Sequence, residues 1–300
     1  MSNPSNPSNP SNSSNSSNSS IPTLTLNDGH ALPAVGFGTY PLQGDAGYRA
    51  VRQALDAGYR LIDSAVNYEN EGVVGKAIRD FVTESGVDRD EITVQTKLPG
   101  RHHGADRAPA SIEESLARLG LERIDMMLIH WPNPITGRYR EAWAALVDAR
   151  ERGLVRSVGV SNFTAAHLSD IIADTDVTPA VNQIELHPCF SQSEMRRAHA
   201  RHGIVTEAWS PLGKREAPFD QESVASAAEV HGVSPAQVIL RWHVQLGSVP
   251  LPKSATPERQ VANLDVFGFA LSDDEMAAIS ALTRPDGRLF DGDPDTHEEM

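Results

Sequence analysis

Eight short apolar runs recur between residues 35 and 251, and a segment with helical periodicity follows each of them. The runs fall at 35–38, 60–63, 92–97, 124–130, 157–161, 180–185, 204–209 and 248–251. Helix-patterned stretches include 46–57, 70–82, 108–119, 140–152, 164–172, 191–202 and 235–246. In the first of these, Ala50, Val51, Ala54 and Leu55 gather on one helical face. A helix between successive strands is the crossover that a parallel sheet requires. Eight such units joined by short connections predict an α/β fold of the closed (β/α)8 TIM-barrel type. An open, doubly wound sheet would instead place a glycine-rich dinucleotide turn after an early strand. The only candidate, Gly36-Phe37-Gly38, lacks the third glycine and opens no helix. Ahead of the barrel, 23–26 and 30–32 flank Asn27-Asp28-Gly29 and predict an N-terminal β-hairpin. Ser111, ahead of Glu114, and Ser234, just before Pro235, are expected to start helices.

Residues 1–20 are almost wholly Ser, Asn and Pro, with nothing to bury and neither a basic nor an apolar signal region. They are expected to be a disordered tail rather than a secretory signal, with 21–300 forming a single barrel domain. No window reaches the 18 or so apolar residues of a membrane span. The formal net charge of −14 argues against a nucleic-acid or anionic-membrane partner, while leaving room for a local anion site. A lone Cys189 excludes an internal disulfide and a Cys-rich zinc site, and fits a reducing, cytoplasmic setting.

Barrel chemistry collects at the C-terminal ends of strands. Asp63 ends the second candidate strand, Lys97 the third and His130 the fourth, spaced by 34 and 33 residues. Tyr68 stands on the short connection after Asp63. Singly, each has an ordinary role: Asp caps helices, Lys snorkels, and His is a common core residue. Four on one rim point to a site. A phenol normally loses its proton near pH 10, and an adjacent ammonium makes it a readier donor. A carboxylate keeps that lysine charged, and His130 can orient a reacting oxygen. The set suits protonation of a carbonyl oxygen as hydride reaches its carbon. No Ser-His-Asp set, HExxH or Cys/His cluster suggests hydrolysis or a metal, and His102-His103 reads as a solvated turn.

The stretches Asp63–Glu71, Thr96-Lys97-Leu98, Leu128-Ile129-His130-Trp131-Pro132, Gly159-Val160-Ser161-Asn162-Phe163, Asn182-Gln183-Ile184-Glu185, Ser210-Pro211-Leu212-Gly213 and Leu251-Pro252-Lys253-Ser254 together resemble the aldo-keto reductase family, over residues 21–290. The pattern is most similar to its bacterial 2,5-diketo-D-gluconate reductase-like branch, through Glu258-Arg259 and Asn263-Leu264-Asp265-Val266-Phe267. The resemblance implies a monomeric, metal-free oxidoreductase that uses NADPH/NADP+ on a small-molecule carbonyl substrate. Tyr68 would be the general acid, with Asp63, Lys97 and His130 completing a tetrad. Ser161, Asn162 and Gln183 would hold the carboxamide, and Trp209 would stack on the nicotinamide. Ser210, Leu212 and Gly213 would hold the pyrophosphate. Lys253, Ser254 and Arg259 would clamp the 2′-phosphate, and Asn263 would meet the adenine, although Ala262 stands where relatives often carry Glu or Gln. An extra phosphate dianion suits a guanidinium and an ammonium in an otherwise acidic chain. Tyr40 and Trp131 would wall the substrate pocket, and Pro99 replaces an aromatic residue of several relatives. The tail 287–300 is expected either to cover the mouth or to fray, its five acidic residues after Phe290 favouring solvent. A Schiff-base lyase or aldolase acting through Lys97 and a non-catalytic, cofactor-sensing subunit are the rival readings.

Overall fold

The protein is described from a computed structural model over residues 21–290 and 292–299; the Ser/Asn/Pro segment lies outside the described residues. A hairpin pairs β1 (Thr23–Thr25) antiparallel to β2 (Ala31–Pro33). Eight parallel strands follow in sequence order: β3 (Phe37–Gly38), β4 (Leu61–Asp63), β5 (Thr93–Leu98), β6 (Ile124–Ile129), β7 (Val155–Ser161), β8 (Val181–Glu185), β9 (Val205–Trp209) and β10 (Ser248–Pro250). The first and last strands meet through Gly36 N–H to Pro250 O at 3.0 Å and Gly38 N–H to Pro252 O at 3.1 Å. These two bonds close the sheet into a (β/α)8 barrel.

The closure explains Gly36-Phe37-Gly38. A Cβ on Gly36 would lie 2.5 Å from the Leu251 side chain, and one on Gly38 would lie 2.8 Å from the Leu251 carbonyl. The glycines serve a seam between backbones, not a phosphate.

Helices α1 (Gly44–Ala57), α2 (Glu71–Ser85), α3 (Ala108–Leu119), α4 (Tyr139–Glu151), α5 (Ala165–Thr175), α6 (Ser193–His202), α7 (Glu222–His231), α8 (Pro235–Gln245), α9 (Pro257–Leu264) and α10 (Asp273–Ser280) complete the described chain. Their apolar faces meet the outward side chains of the strands, where Ile62, Val94, Leu98, Met127, Ile129, Val158 and Val160 are buried. The barrel interior begins with Leu61, Met126, Leu128, Val181 and Val249, against which the hairpin sets Leu26 and Leu32. The hairpin therefore stops the N-terminal end of the barrel with side chains.

Strand alternation then changes the chemistry of the interior. On β5, Val94 and Leu98 join the outer core, while Gln95 and Lys97 are buried within the barrel among polar partners. Ser234 caps α8 as expected, accepting from the Gln237 N–H at 3.3 Å. Ser111 does not start a helix. Pro109, whose fixed φ suits a first helical turn, lets α3 begin at Ala108, and Ser111 lies buried inside it against His102 Nδ1 at 2.8 Å. His102 is thus half-buried and partnered rather than a solvated turn residue.

Candidate active site

The strand ends carry Asp63, Lys97 and His130 to one rim. The Lys97 side chain is wholly buried, and its Nζ donates to Asp63 Oδ1 at 2.6 Å and to the Ser64 carbonyl at 2.9 Å. Its third contact is the Tyr68 hydroxyl at 3.3 Å. Tyr68 is delivered by a single 3-10 turn, Val66–Tyr68, which ends on Glu69 in the left-handed region. The His130 ring stands edge-on to Tyr68, with centroids 5.8 Å apart. The four thus form a chain of contacts, from Asp63 through Lys97 and Tyr68 to His130.

Electrostatics refine one expectation. Burial pushes the Tyr68 hydroxyl up to about 12, outweighing the opposite pull of the Lys97 charge. Tyr68 keeps its proton across the ordinary pH range. Burial also works against the charge of Lys97, but Asp63 and Tyr68 together hold that ammonium above its usual range.

A long cavity of about 1170 Å³ starts at Asp63, Tyr68, His130 and Trp131 and runs past Asn162, Gln183 and Trp209 to Lys253, Ser254, Arg259 and Asn263. That exceeds the ~300–1,000 Å³ of a typical single-ligand cleft. Tyr40, Ser210 and Leu212 also line it. Asn162 sits in the left-handed region at φ 62°, its amide donating to the His130 carbonyl at 3.0 Å and accepting from Trp209 Nε1 at 2.8 Å. This pair ties the indole and the His130 strand end together. Ser210 (φ 51°) and Gly213 (φ 82°) shape the loop after β9.

Three expected site residues lie behind the wall. Ser161 is fully buried, donating its hydroxyl to the Gln183 carbonyl at 2.7 Å and accepting from Asn162, so it supports those two side chains. Gly213 turns the loop, its N–H bonded to Ser210 O at 2.9 Å, and Lys97 lies beneath Tyr68 and Asp63.

The far end of the cavity fits a polyanion. Among the described residues, Lys253 and Arg259 at that end, and Lys214 elsewhere along the same cavity, have no carboxylate within ion-pair distance, in a chain of net charge −14. Unpaired cations that share one cleft of an acidic protein are groups awaiting an anion. Lys214 escapes the motif reading; it follows Gly213, and its ammonium lies 4.3 Å from the Phe290 ring centre and 5.9 Å from that of Tyr40. Also unforeseen is Glu207, buried on β9, whose Oε2 accepts from Gln95 and Gln183, both at 2.8 Å. A lone acidic residue inside an apolar strand run was the available signal for it.

The tail corrects the expectation of a solvated end. Leu289 N–H donates to Glu185 Oε1 at 2.6 Å, Phe290 stacks near Trp209 with centroids at 5.9 Å, and Gly292 lies against Trp131. His297 packs on Trp131 at 4.2 Å, and Glu298 accepts from the Ile135 N–H at 2.7 Å. Its neighbour Glu299 reaches the rim itself, 2.7 Å from His130 Nδ1. The acidic residues had suggested solvent because their partners are remote in sequence.

Comparison with known proteins agrees with this geometry. The model of the aldo/keto reductase family matches residues 34–284. The 2,5-diketo-D-gluconic acid reductase B of Corynebacterium sp. is 58% identical over 281 residues, 94% of this chain and 99% of that protein. An aldo-keto reductase of Mycolicibacterium smegmatis is 48% identical over 278 residues, covering 93% and 96% of the two chains. Among solved structures, a variant of Gox0644 in complex with NADPH superposes with a TM-score of 0.87 at 42% identity, covering 93% and 99%. The Bombyx mori aldo-keto reductase in complex with NADP gives 0.83 at 34% identity, covering 88% and 93%. With the family pattern matched along nearly the whole barrel, the chain belongs to the aldo/keto reductase family.

Proposed function

We propose that this chain reduces small aldehydes, ketones or keto-sugars to alcohols with NADPH, Tyr68 acting as the general acid. The observation that carries this reading is Lys97 Nζ, held between Asp63 Oδ1 at 2.6 Å and the Tyr68 hydroxyl at 3.3 Å, beside a cavity that continues to unpaired cations. Bound in that cavity, NADPH supplies the hydride. Lys253 and Arg259 meet its 2′-phosphate, with Ser254 beside them, and Asn263 faces the adenine. The loop Ser210, Leu212, Gly213 holds the pyrophosphate, while Asn162 and Gln183, braced by Ser161, fix the carboxamide against Trp209. Tyr68 gives its proton to the substrate oxygen, and the fixed ammonium of Lys97 stabilises the phenolate left behind. Asp63 keeps Lys97 charged and aimed. Tyr40 and Trp131 wall the substrate side.

Keto-sugar acids are favoured within the substrate class because the Corynebacterium relative is named for 2,5-diketo-D-gluconic acid. A monomer with a single domain over 21–300 belongs to the same reading. A Schiff-base role for Lys97 is disfavoured, since its amine is buried and committed to three partners.

The test is Tyr68→Phe, with NADPH consumption followed across keto-sugar acids, aldehydes and ketones, and NADPH binding followed by fluorescence. Turnover is expected to fall on the order of 10²–10⁴-fold while cofactor affinity holds. Undiminished turnover in the variant would remove Tyr68 as the acid.

A further inference from the structure

We infer that Glu299 is a positioning residue for His130, its carboxylate committing one ring proton to Nδ1. This rests on the reductase reading, because it concerns how His130 meets the substrate oxygen. Glu299 Oε1 lies 2.7 Å from Nδ1, with the carboxylate 11% and the imidazole 13% exposed. The approach is short but falls outside hydrogen-bond geometry, so charge rather than direction dominates it. A carboxylate charge at that distance favours a proton on Nδ1 over a bare lone pair, which is what the inference rests on.

The carboxylate is held by the protein, not left to find the ring by chance. Asn67 Nδ2 donates to Oε1 at 2.6 Å, and the Gly100 N–H donates to Oε2 at 3.1 Å. Asn133 grips the backbone of the same residue, donating to the Glu299 carbonyl at 2.6 Å and accepting from its N–H at 3.2 Å. Gly100 has no room for a side chain there, since a Cβ would lie 2.2 Å from the Asn133 amide. Burial alone would raise the Glu299 carboxyl, but His130 and these N–H donors hold it below its usual range, so it is ionised.

Around the pair, Tyr68, Lys97 and Asp63 stand on the barrel side and His103 behind Glu299, with Arg101 bound to Asn67. His103 is pushed down to about 4 by burial and is neutral. The cavity stays open, for His130, Tyr68 and Trp131 still line it while the tail is docked. The tail therefore does not plug the site.

The consequence is chemical. With one proton committed to Nδ1, a neutral ring offers only a lone pair at Nε2, which cannot donate to a carbonyl oxygen. A ring that donates from Nε2 must carry both protons, and Glu299 is the counter-ion for that state. The tail of this chain thus decides what His130 can offer a substrate.

The experiment uses the full chain and nitrogen NMR of its imidazoles near neutral pH, with the His130 signals identified by their loss in His130→Gln. In the parent, Nδ1 should show the protonated signature; in Glu299→Ala it should lose it. Turnover in Glu299→Ala should fall on the order of 10–100-fold with KM for NADPH little changed, by analogy with other residues that orient a catalytic histidine. Glu298→Ala controls for docking, since it frees Ile135 and Thr136 but keeps the Glu299 carboxylate; its Nδ1 signature should match the parent. An unchanged Nδ1 signature in Glu299→Ala, or an equal change in Glu298→Ala, overturns the assignment. The nitrogen readout needs no turnover, so failure of the reductase reading in Tyr68→Phe leaves this result separately legible.

Discussion

The polar layer beneath the rim rests on Asp63 Oδ1, which accepts from Lys97 at 2.6 Å, Gln95 at 2.7 Å and Gln183 at 3.2 Å. The same two amides also donate to Glu207, so two carboxylates share them. Lys97 neutralises the charge of Asp63, and among the described residues a second full charge on Glu207 has no cation within ion-pair distance. Burial, reinforced by Asp63, accordingly pushes the Glu207 carboxyl up to about 7. An unfolded chain loses that proton near 4.5, whereas the folded chain keeps it until about 7. The folded state thus binds the extra proton, and the stability this provides is complete below pH 4.5 and lost as pH rises through 7. Glu207→Gln keeps an acceptor and removes the titration. Relative to the parent, the variant should gain stability between pH 5 and 8 by an amount on the order of 2–3 kcal/mol, read from denaturant midpoints. A stability difference independent of pH would show that Glu207 does not hold its proton.

At the scale of elements, the seam between β3 and β10 is the most exacting join in the barrel. Gly38→Ala places a Cβ against the Leu251 carbonyl, which is backbone and cannot turn aside, whereas Gly36→Ala meets the Leu61 and Leu251 side chains. Each should cost about 1–3 kcal/mol, with Gly38→Ala the worse, measured by chemical denaturation. An unshifted midpoint for Gly38→Ala would mean that the strands part freely there. The barrel itself was legible because strands and helices announce themselves by local period, and Asp63, Lys97 and His130 were legible because each ends an apolar run. Helix starts were less so: Ser111 has a capping residue's chemistry, but Pro109 two positions earlier had already begun α3. Lys97 and Ser161 were expected to face the site, whereas the structure sets both behind the cavity wall. What local pattern could not carry is the tail, whose partners Glu185, Trp131, Asn133 and Gly100 lie 104 to 199 residues away. An acidic stretch reads as solvated until the N–H groups and imidazole that receive it are known.

For the whole molecule, the governing fact is a net charge of −14 around a cleft whose cations, among the described residues, lack carboxylate partners. A polyanionic cofactor approaches against the overall field and is held by local groups, so its binding energy is concentrated in few side chains. Binding only to the folded chain raises stability, by about 2.7 kcal/mol when free ligand is a hundredfold above Kd. For a barrel of this size that corresponds to a melting shift of roughly 5 °C. On the proposed reading, Arg259 touches only the group that distinguishes NADPH from NADH, whereas Lys214, beside the Ser210–Gly213 loop, faces what both share. Arg259→Ala should therefore weaken NADPH about 10–100-fold, removing about 1.4–2.8 kcal/mol of its stabilisation, and leave the smaller NADH shift nearly unchanged. Lys214→Ala should reduce both shifts. Thermal melts of the parent and both variants, each with either nucleotide at a fixed excess, separate these effects without any need for turnover. Equal losses of the NADPH and NADH shifts in Arg259→Ala would take the 2′-phosphate away from this residue and return Arg259 to a general role in the field of the cleft.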